Sequence, residues 1–488
     1  MDGLPHNPPP GTPHVADAVR WRPRAPAVLQ RLKDNAAVRL HLGALLRSPL
    51  GPAIVRPWSD WVFLRLLTGG MLPTARLWAT AEATGFDPGH LVAAHPGISD
   101  RIAAADLRAA LAGLTRLQAR ALATEREAQA AIAGSSKADR VAATDQSRRV
   151  AAYEYLAARA SLFKAARSVA PVDFAIPDDR AVADWLKPWG ETADALFAAP
   201  DTPPVLHETP PIKTPGGPMR ILMGPSPAPW IDEPLIARVH EPEGLRDPPT
   251  YIHCHGIGID GDQMSEGADE ILSLVARGVR VVRLVAPWHG RRRPLGSWSG
   301  ERFLATAPLG AIQFFAAVVR EYATLVGWAR ATSRGPVAIG GISLGALSAQ
   351  LAAVRAHAWP AALRPDALLL IATGGPLDAI AYEGSLTRRL GLDRALSTSG
   401  WSQARLQPLA RLTDPQVAPA VDPAKIVMVL GRKDDVTPYH GGKALATRWQ
   451  VPAGNLFVNW QGHFTVELGL IPDARPLARM AAILHGGG

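Results

Sequence analysis

The chain contains one cysteine, Cys254, in 488 residues. A lone cysteine excludes an internal disulfide framework and any zinc site built on two or more thiolates. It is expected to act as a small hydrophobe. Lysine is scarce too, with 8 Lys against 44 Arg. The net charge is +9, but no region concentrates it: residues 1–200 carry 24 basic and 19 acidic residues, and 201–488 carry 28 and 24. The longest basic run is Arg291-Arg292-Arg293. Nucleic-acid binding needs a basic stripe, so no nucleic-acid partner is expected. The Ala-, Arg- and Pro-heavy composition is that of GC-rich coding.

Long apolar runs are missing as well. The longest, Phe303 to Val319, is interrupted by Pro308 and Gln313 and falls short of the ~20 residues of a membrane span. The opening MDGLPHNPPPGTPH has neither the basic start nor the apolar segment of a secretory signal, and residues 1–14 read as a disordered Pro-rich tail. A cytoplasmic protein is expected. The aromatic stretch Trp58 to Trp78, broken by Asp60, Arg65 and Arg76, suits contact with a membrane surface or burial against the next domain, and burial is expected. There is no GxGxxG after a strand, no GxxxxGK[ST] and no internal repeat, so nucleotide phosphate cradles are excluded.

What is present suffices for a large core: 47% of residues are hydrophobic and 19% charged. Length suggests two or three domains. Residues 15–198 read as an all-α N-terminal domain. Leu107, Leu111, Leu114 and Leu117 mark one apolar helix face, and Val150, Tyr153, Leu156 and Ala160 mark a second. Gly134-Ser135-Ser136 breaks the chain between them, with Asp139 placed to cap the second helix. This helical hairpin suits self-association. Shorter helices are expected over 26–47 and 56–84. No catalytic constellation is visible in this half.

Residues 199–218 are rich in Pro and Gly and read as a linker. Beyond it, β-branched runs alternate with helical stretches. The runs are Tyr251–His253, Val279–Leu284, Val337–Ile339, Ala367–Ile371, Ile426–Leu430 and Leu456–Trp460. Helices are expected over 264–277, 302–330 and 345–356. The alternation predicts an α/β fold over 219–488, with a mostly parallel sheet and helices on both faces. Residues 376–424 lack a strand run and read as a helical lid.

The chemistry gathers around Gly341-Ile342-Ser343-Leu344-Gly345, between the strand VAIG and the helix ALSAQLAAVRA. A serine at so sharp a strand-to-helix turn takes strained dihedrals and presents its hydroxyl at the helix N-terminus. It needs a base, and the base needs an orienting carboxylate. Asp434, in GRKDDVTP after IVMVL, and His463, in QGHF after LFVNW, follow in that order. Asp434 is preferred over Asp435. Acyl transfer also needs N–H donors for an oxyanion. The glycine-rich His255-Gly256-Ile257-Gly258 supplies one through Ile257, and Leu344 the other. His253-x-His255 could form half of a metal site, but no Asp-His pair follows, and no metal is expected.

Residues 219–488 resemble the α/β-hydrolase superfamily: H-G-x-G after the third core strand, G-x-S-x-G, G-x-x-D-x-V-x-P, and G-H near the C-terminus, in order. The resemblance implies an α/β-hydrolase fold, a Ser343–Asp434–His463 triad, hydrolysis through an acyl-enzyme, and no cofactor. The loop Pro287-Trp288-His289-Gly290-Arg291-Arg292-Arg293-Pro294, taken with GISLG, resembles the branch called α/β-hydrolase domain-containing protein 18-like, whose loop arginine matches Arg292.

The expected activity is carboxylic ester hydrolysis on a small-molecule or lipid-like substrate. Thioester, amide and acyl-transfer chemistry use the same groups. From another class, the helical half could be a partner- or membrane-docking module on a hydrolase scaffold. His255, His289 and Arg292 are candidate substrate-binding residues, with Arg292 or His289 facing an anionic group. Arg292 could instead tie down its own loop through carbonyls or Asp262.

Overall fold

A computed structural model describes residues 45–46, 48, 51–134, 136–190, 194–214, 216–260 and 271–487. The expected tail over 1–14, most of the helix over 26–47, and Asp262 lie outside them.

The N-terminal part is helical. The helix α1 (Pro57–Leu66) passes through a π-helical turn, Leu67–Met71, into α2 (Leu72–Ala83). The hairpin follows as α3 (Ala104–Ala133) and α4 (Ala138–Ala158). Asp139 lies in the first turn of α4, but Lys137 occupies the cap position and no side chain bonds there.

The aromatic stretch divides. Trp78 is buried, whereas Trp58, Trp61 and Leu66 are 59%, 55% and 61% exposed. With Val62 and Arg65 they share one outward face of α1, at spacings of three and four. Leu64 on the opposite side of α1 and most of α2 met the expectation of burial.

Among the described residues ten strands form one sheet: β1 (His207–Glu208), β2 (Ile212–Thr214), β3 (Gly217–Gly224), β4 (Leu235–His240), β5 (Thr250–Cys254), β6 (Arg280–Val285), β7 (Val337–Ile342), β8 (Ala367–Ile371), β9 (Ile426–Gly431) and β10 (Leu456–Asn459). Their order is β1-β3-β4-β6-β5-β7-β8-β9-β10, with β2 also on β3. The pairs involving β3 and β4 are antiparallel; every pair from β6 across to β10 is parallel. The six predicted runs all lie in strands, to within a residue or two of their ends. Reading 199–218 as a linker missed two strands, since His207–Glu208 and Ile212–Thr214 pair with β3. They are too short for a period-2 signal among so many prolines.

The central strands are apolar on both faces, as a doubly covered parallel sheet requires. Tyr251, Val281, Ala338, Leu369 and Val427 point to one core. Ile252, Val282, Ile339, Leu368 and Met428 point to the other. That larger core is filled by α5 (Glu301–Ala305), α6 (Leu309–Thr332) and α7 (Leu344–Arg355). The helix expected over 302–330 is therefore two, broken around the cis Ala307-Pro308 bond. Among the described residues α6 alone is long and apolar enough to cross a membrane, and 89% of its apolar window is buried. The expected helix over 264–277 is a 3-10 helix over its described part, Ile271–Arg277.

Five short helices between β8 and β9, from Leu377 to Thr413, fill the expected lid insertion. They enclose an apolar cavity of about 70 Å³ against α5 and α6, lined by Phe303, Leu304, Ala311, Leu392, Leu396 and Leu406 among others. The chain ends through α8 (Tyr439–Arg448), α9 (His463–Leu468) and α10 (Arg475–Leu484).

Two helices of the N-terminal hairpin are fastened to the sheet half by ion pairs. Glu125 of α3 accepts from Arg291 at 2.6 Å, and Asp145 of α4 pairs with Arg238 of β4 at 3.1 Å. From α2, Arg76 pairs with the buried Glu301 at 2.9 Å.

Candidate active site

The turn between β7 and α7 carries Ser343 at φ 53° and ψ −119°. A non-glycine residue there is strained and persists only where its surroundings hold it. Two observations account for the hold. The Ser343 N–H donates to the Ile371 carbonyl on β8 at 2.9 Å. A Cβ at Gly341 or at Gly345 would overlap the Cys254 carbonyl oxygen, so both glycines let the turn press against β5. Cys254 itself is buried, and burial pushes its thiol up to about 12, far from nucleophilic.

His463 comes from the first turn of α9, and its Nε2 lies 2.8 Å from Ser343 Oγ. Its Nδ1 lies 2.8 Å from Asp434 Oδ2. Asp434 follows β9, and its Oδ1 accepts from the N–H groups of Val436 (3.0 Å) and Thr437 (2.9 Å). Thr437 Oγ1 stands 2.9 Å from Asp434 Oδ2. Asp435 faces away: it is exposed and accepts from Ser385 Oγ at 2.8 Å.

All three side chains are buried, with Ser343 at 9% exposure. Burial disfavours the charged imidazole and is the largest single influence, but the charge and hydrogen bond of Asp434, together with Glu467 and Asp60, outweigh it. The net result holds His463 above its usual 6.5.

Leu344 opens α7, so its N–H has no carbonyl four residues back within that helix. Gly256 packs against the serine: a Cβ on it would sit 3.4 Å from Ser343 Cβ. Ile257 follows, which brings the second expected donor into the same turn region.

The strand order, with its antiparallel second member and the serine turn after the fifth strand counted from β3, decides the architecture. The chain has the α/β-hydrolase fold.

No protein-family model matches the chain, and no curated protein matches it. Solved structures do. Acetyl xylan esterase 1 from Thermoanaerobacterium sp. JW/SL YS485 is similar at 14% identity and TM-score 0.42, over 61% of this chain and 96% of that one. The acetyl xylan esterase from Paenibacillus sp. R4 is similar at 14% identity and TM-score 0.41, over 59% and 90%. An S-formylglutathione hydrolase from Agrobacterium tumefaciens is similar at 14% identity and TM-score 0.37, over 56% and 99%. At such TM-scores the likeness carries no inference about activity.

The loop after β6 corrects the substrate-binding expectations. Arg292 is fully buried, donates to Glu321 of α6 at 2.5 and 2.9 Å and to the Val285 carbonyl at 2.7 Å, and has no surface to offer a substrate. Its carbonyl bond and its ion pair tie the loop down, with Glu321 rather than Asp262 as the acid. Removing one partner of such a pair costs roughly 3–5 kcal/mol. His289 is also fully buried; its Nδ1–H donates to the Pro287 carbonyl at 2.8 Å. Burial, then the nearby His255, hold His289 well below its usual value, which disfavours the charged imidazole an anion would need.

Burial likewise holds His255 at about 4. Its Nδ1–H donates to the Gly256 carbonyl at 2.8 Å, and its Nε2 accepts from the Ala286 N–H at 3.2 Å. Both nitrogens are thus committed to backbone. The ring ties the Gly256–Ile257 turn to the end of β6.

Two contributors escaped the sequence reading. Thr437 was visible only as part of the DDVTP run. Asp60 sits in the N-terminal half, where no constellation was expected, yet it touches the helix of His463. The one available signal was Gly462, a helix start with no acceptor of its own.

Proposed function

We propose that the protein is a serine hydrolase that cleaves a carboxylic ester through an acyl-enzyme. The observation that carries this is the unbroken hydrogen-bonded series Ser343 Oγ, His463, Asp434, each contact at 2.8 Å. In this reading Ser343 Oγ attacks the ester carbonyl carbon as its proton passes to His463 Nε2. The oxyanion is held by the N–H groups of Leu344 and Ile257. His463 then protonates the departing alcohol, leaving the acyl group on Ser343. Water, deprotonated by His463, attacks that acyl group and releases the acid, restoring the serine. Asp434 holds the imidazole with Nδ1 protonated and stabilises its charged form. Thioesters and amides fit the same steps, as does transfer to an alcohol in place of water.

The test is labelling of the full chain and of Ser343→Ala with a fluorophosphonate, read by intact mass. One adduct on wild type and none on the variant is expected. A folded wild type without an adduct would end the reading.

A lipid-like ester is the substrate class we favour. The outward face of α1 exposes Trp58, Trp61, Val62 and Leu66 on the helix that adjoins α9, and such a face suits a lipid surface. Hydrolysis of an emulsified long-chain ester should then fall at least about tenfold on Trp61→Glu, with a soluble short ester unaffected. Equal loss on both would remove this preference.

A further inference from the structure

The helix α9 begins at Gly462, which has no side chain to accept from the first free N–H groups. The acceptor arrives from α1 instead. Asp60 Oδ1 accepts from the N–H of Phe464 at 2.6 Å and of Thr465 at 3.2 Å. Asp60 Oδ2 accepts from Thr465 Oγ1, which itself accepts from the Gly462 N–H at 2.9 Å. The fit is close, for a Cβ on Gly462 would overlap the Asp60 carboxylate. One turn along α1, Phe63 packs edge-on against Phe464 at 4.6 Å between centroids. Phe464 in turn stands perpendicular to the His463 ring at 5.3 Å.

We propose that Asp60 is a positioning residue for His463: it supplies, from the N-terminal helices, the cap that fixes the first turn of α9 and so the imidazole between Ser343 and Asp434. The proposal rests on the serine-hydrolase reading. An ordinary helix start carries its cap in its own sequence. Here the cap comes from a residue about four hundred positions earlier in the chain, so the N-terminal helices are part of the machinery that aims the base. Small displacements of a reacting group cost rate steeply.

The charge of Asp60 acts in the same sense. The groups facing His463 are Asp434 from the loop after β9, Glu467 from α9 itself and Asp60 from α1. All three favour the protonated imidazole, against the burial that opposes it. Burial raises the Asp60 carboxyl itself, while the bonds from Thr465 and Phe464 lower it.

The test uses the full chain with Asp60→Asn, which keeps the shape and one acceptor but removes the charge. Fluorophosphonate labelling rate, kcat, KM on a soluble ester and the pH profile are measured beside thermal unfolding. The labelling rate and kcat should each fall about tenfold or more, KM should stay within about twofold, and the acid limb should move to lower pH. An unchanged kcat and acid limb would overturn the proposal. So would a fall in kcat with an unmoved acid limb that tracks a lowered unfolding temperature, since that is what a merely structural residue gives.

If Asp60→Asn does not fold, Thr465→Val keeps Asp60 and both backbone bonds but removes the hydroxyl between Asp60 and Gly462. It should show a smaller loss of kcat, and no loss would overturn the proposal. A wild type that takes no adduct removes the hydrolase reading itself, a result distinct from equal labelling of wild type and variant.

Discussion

The loops that bring Asp434 and His463 to Ser343 leave neighbouring parallel strands, yet they are held in opposite ways. The carboxylate after β9 is held locally: Val436 and Thr437, two and three residues on, donate their N–H groups to Asp434. The loop after β10 is not. Its strand is only half-buried at the sheet edge, and its helix start is a glycine capped from α1. In one arm the carboxylate is fixed by donors from its own loop. The other arm depends on how the N-terminal helices dock.

The strongest way to break this comparison is at the locally held carboxylate. Asp434→Asn should lower kcat about 1,000- to 10,000-fold, because the imidazole loses both its tautomer and its counter-charge. Asp435→Asn, whose carboxylate faces Ser385, should leave kcat unchanged; the reverse result would move the acid to Asp435. The pH profile sharpens the same point. His463 acts as a base only when neutral, and it is held above 6.5. Activity should therefore fall as pH drops through a midpoint above 6.5, and residual activity in Asp434→Asn should show that midpoint moved down. The stabilisation that Asp434 gives the charged ring follows the matching rule: fully present below the unfolded histidine value, lost as pH rises through the folded one.

The Asp60→Asn loss should rank second. Smallest should be Glu125→Gln, which breaks the pair with Arg291 and touches nothing near Ser343. Arg291 is largely buried and Glu125 also lies 3.8 Å from the buried Arg148, so the loss is read as a lowered unfolding temperature with kcat unchanged. A loss of kcat there would mean that docking of the whole helical half, rather than Asp60, aims His463.

Much of this was legible in the sequence. The central strands announce themselves because burial on both faces leaves unbroken apolar runs such as ALLLI and IVMVL. Ser343, Asp434 and His463 are readable because strand, loop and residue type coincide at each. What escaped depends on distance in the chain. Asp60 looks like any polar residue in an aromatic stretch, since its partners lie at Phe464 and Thr465. Arg292 and His289 misled because residue type says nothing of burial: a cation beside an active-site strand reads as a ligand for anions until Glu321, from a helix thirty residues on, is found against it. The exposed face of α1 was half anticipated, but which half of Trp58–Trp78 would be covered depends on docking and not on pattern.

The run Arg291-Arg292-Arg293 adds a consequence for mutational tolerance. Its three side chains diverge to three elements: Glu125 on α3, Glu321 on α6, and Glu82 on α2, where Arg293 also lies 4.3 Å over the Trp78 ring. Connecting loops ordinarily absorb insertions and deletions. In this one a residue added or lost between β6 and Arg291 would shift all three guanidiniums from their partners together.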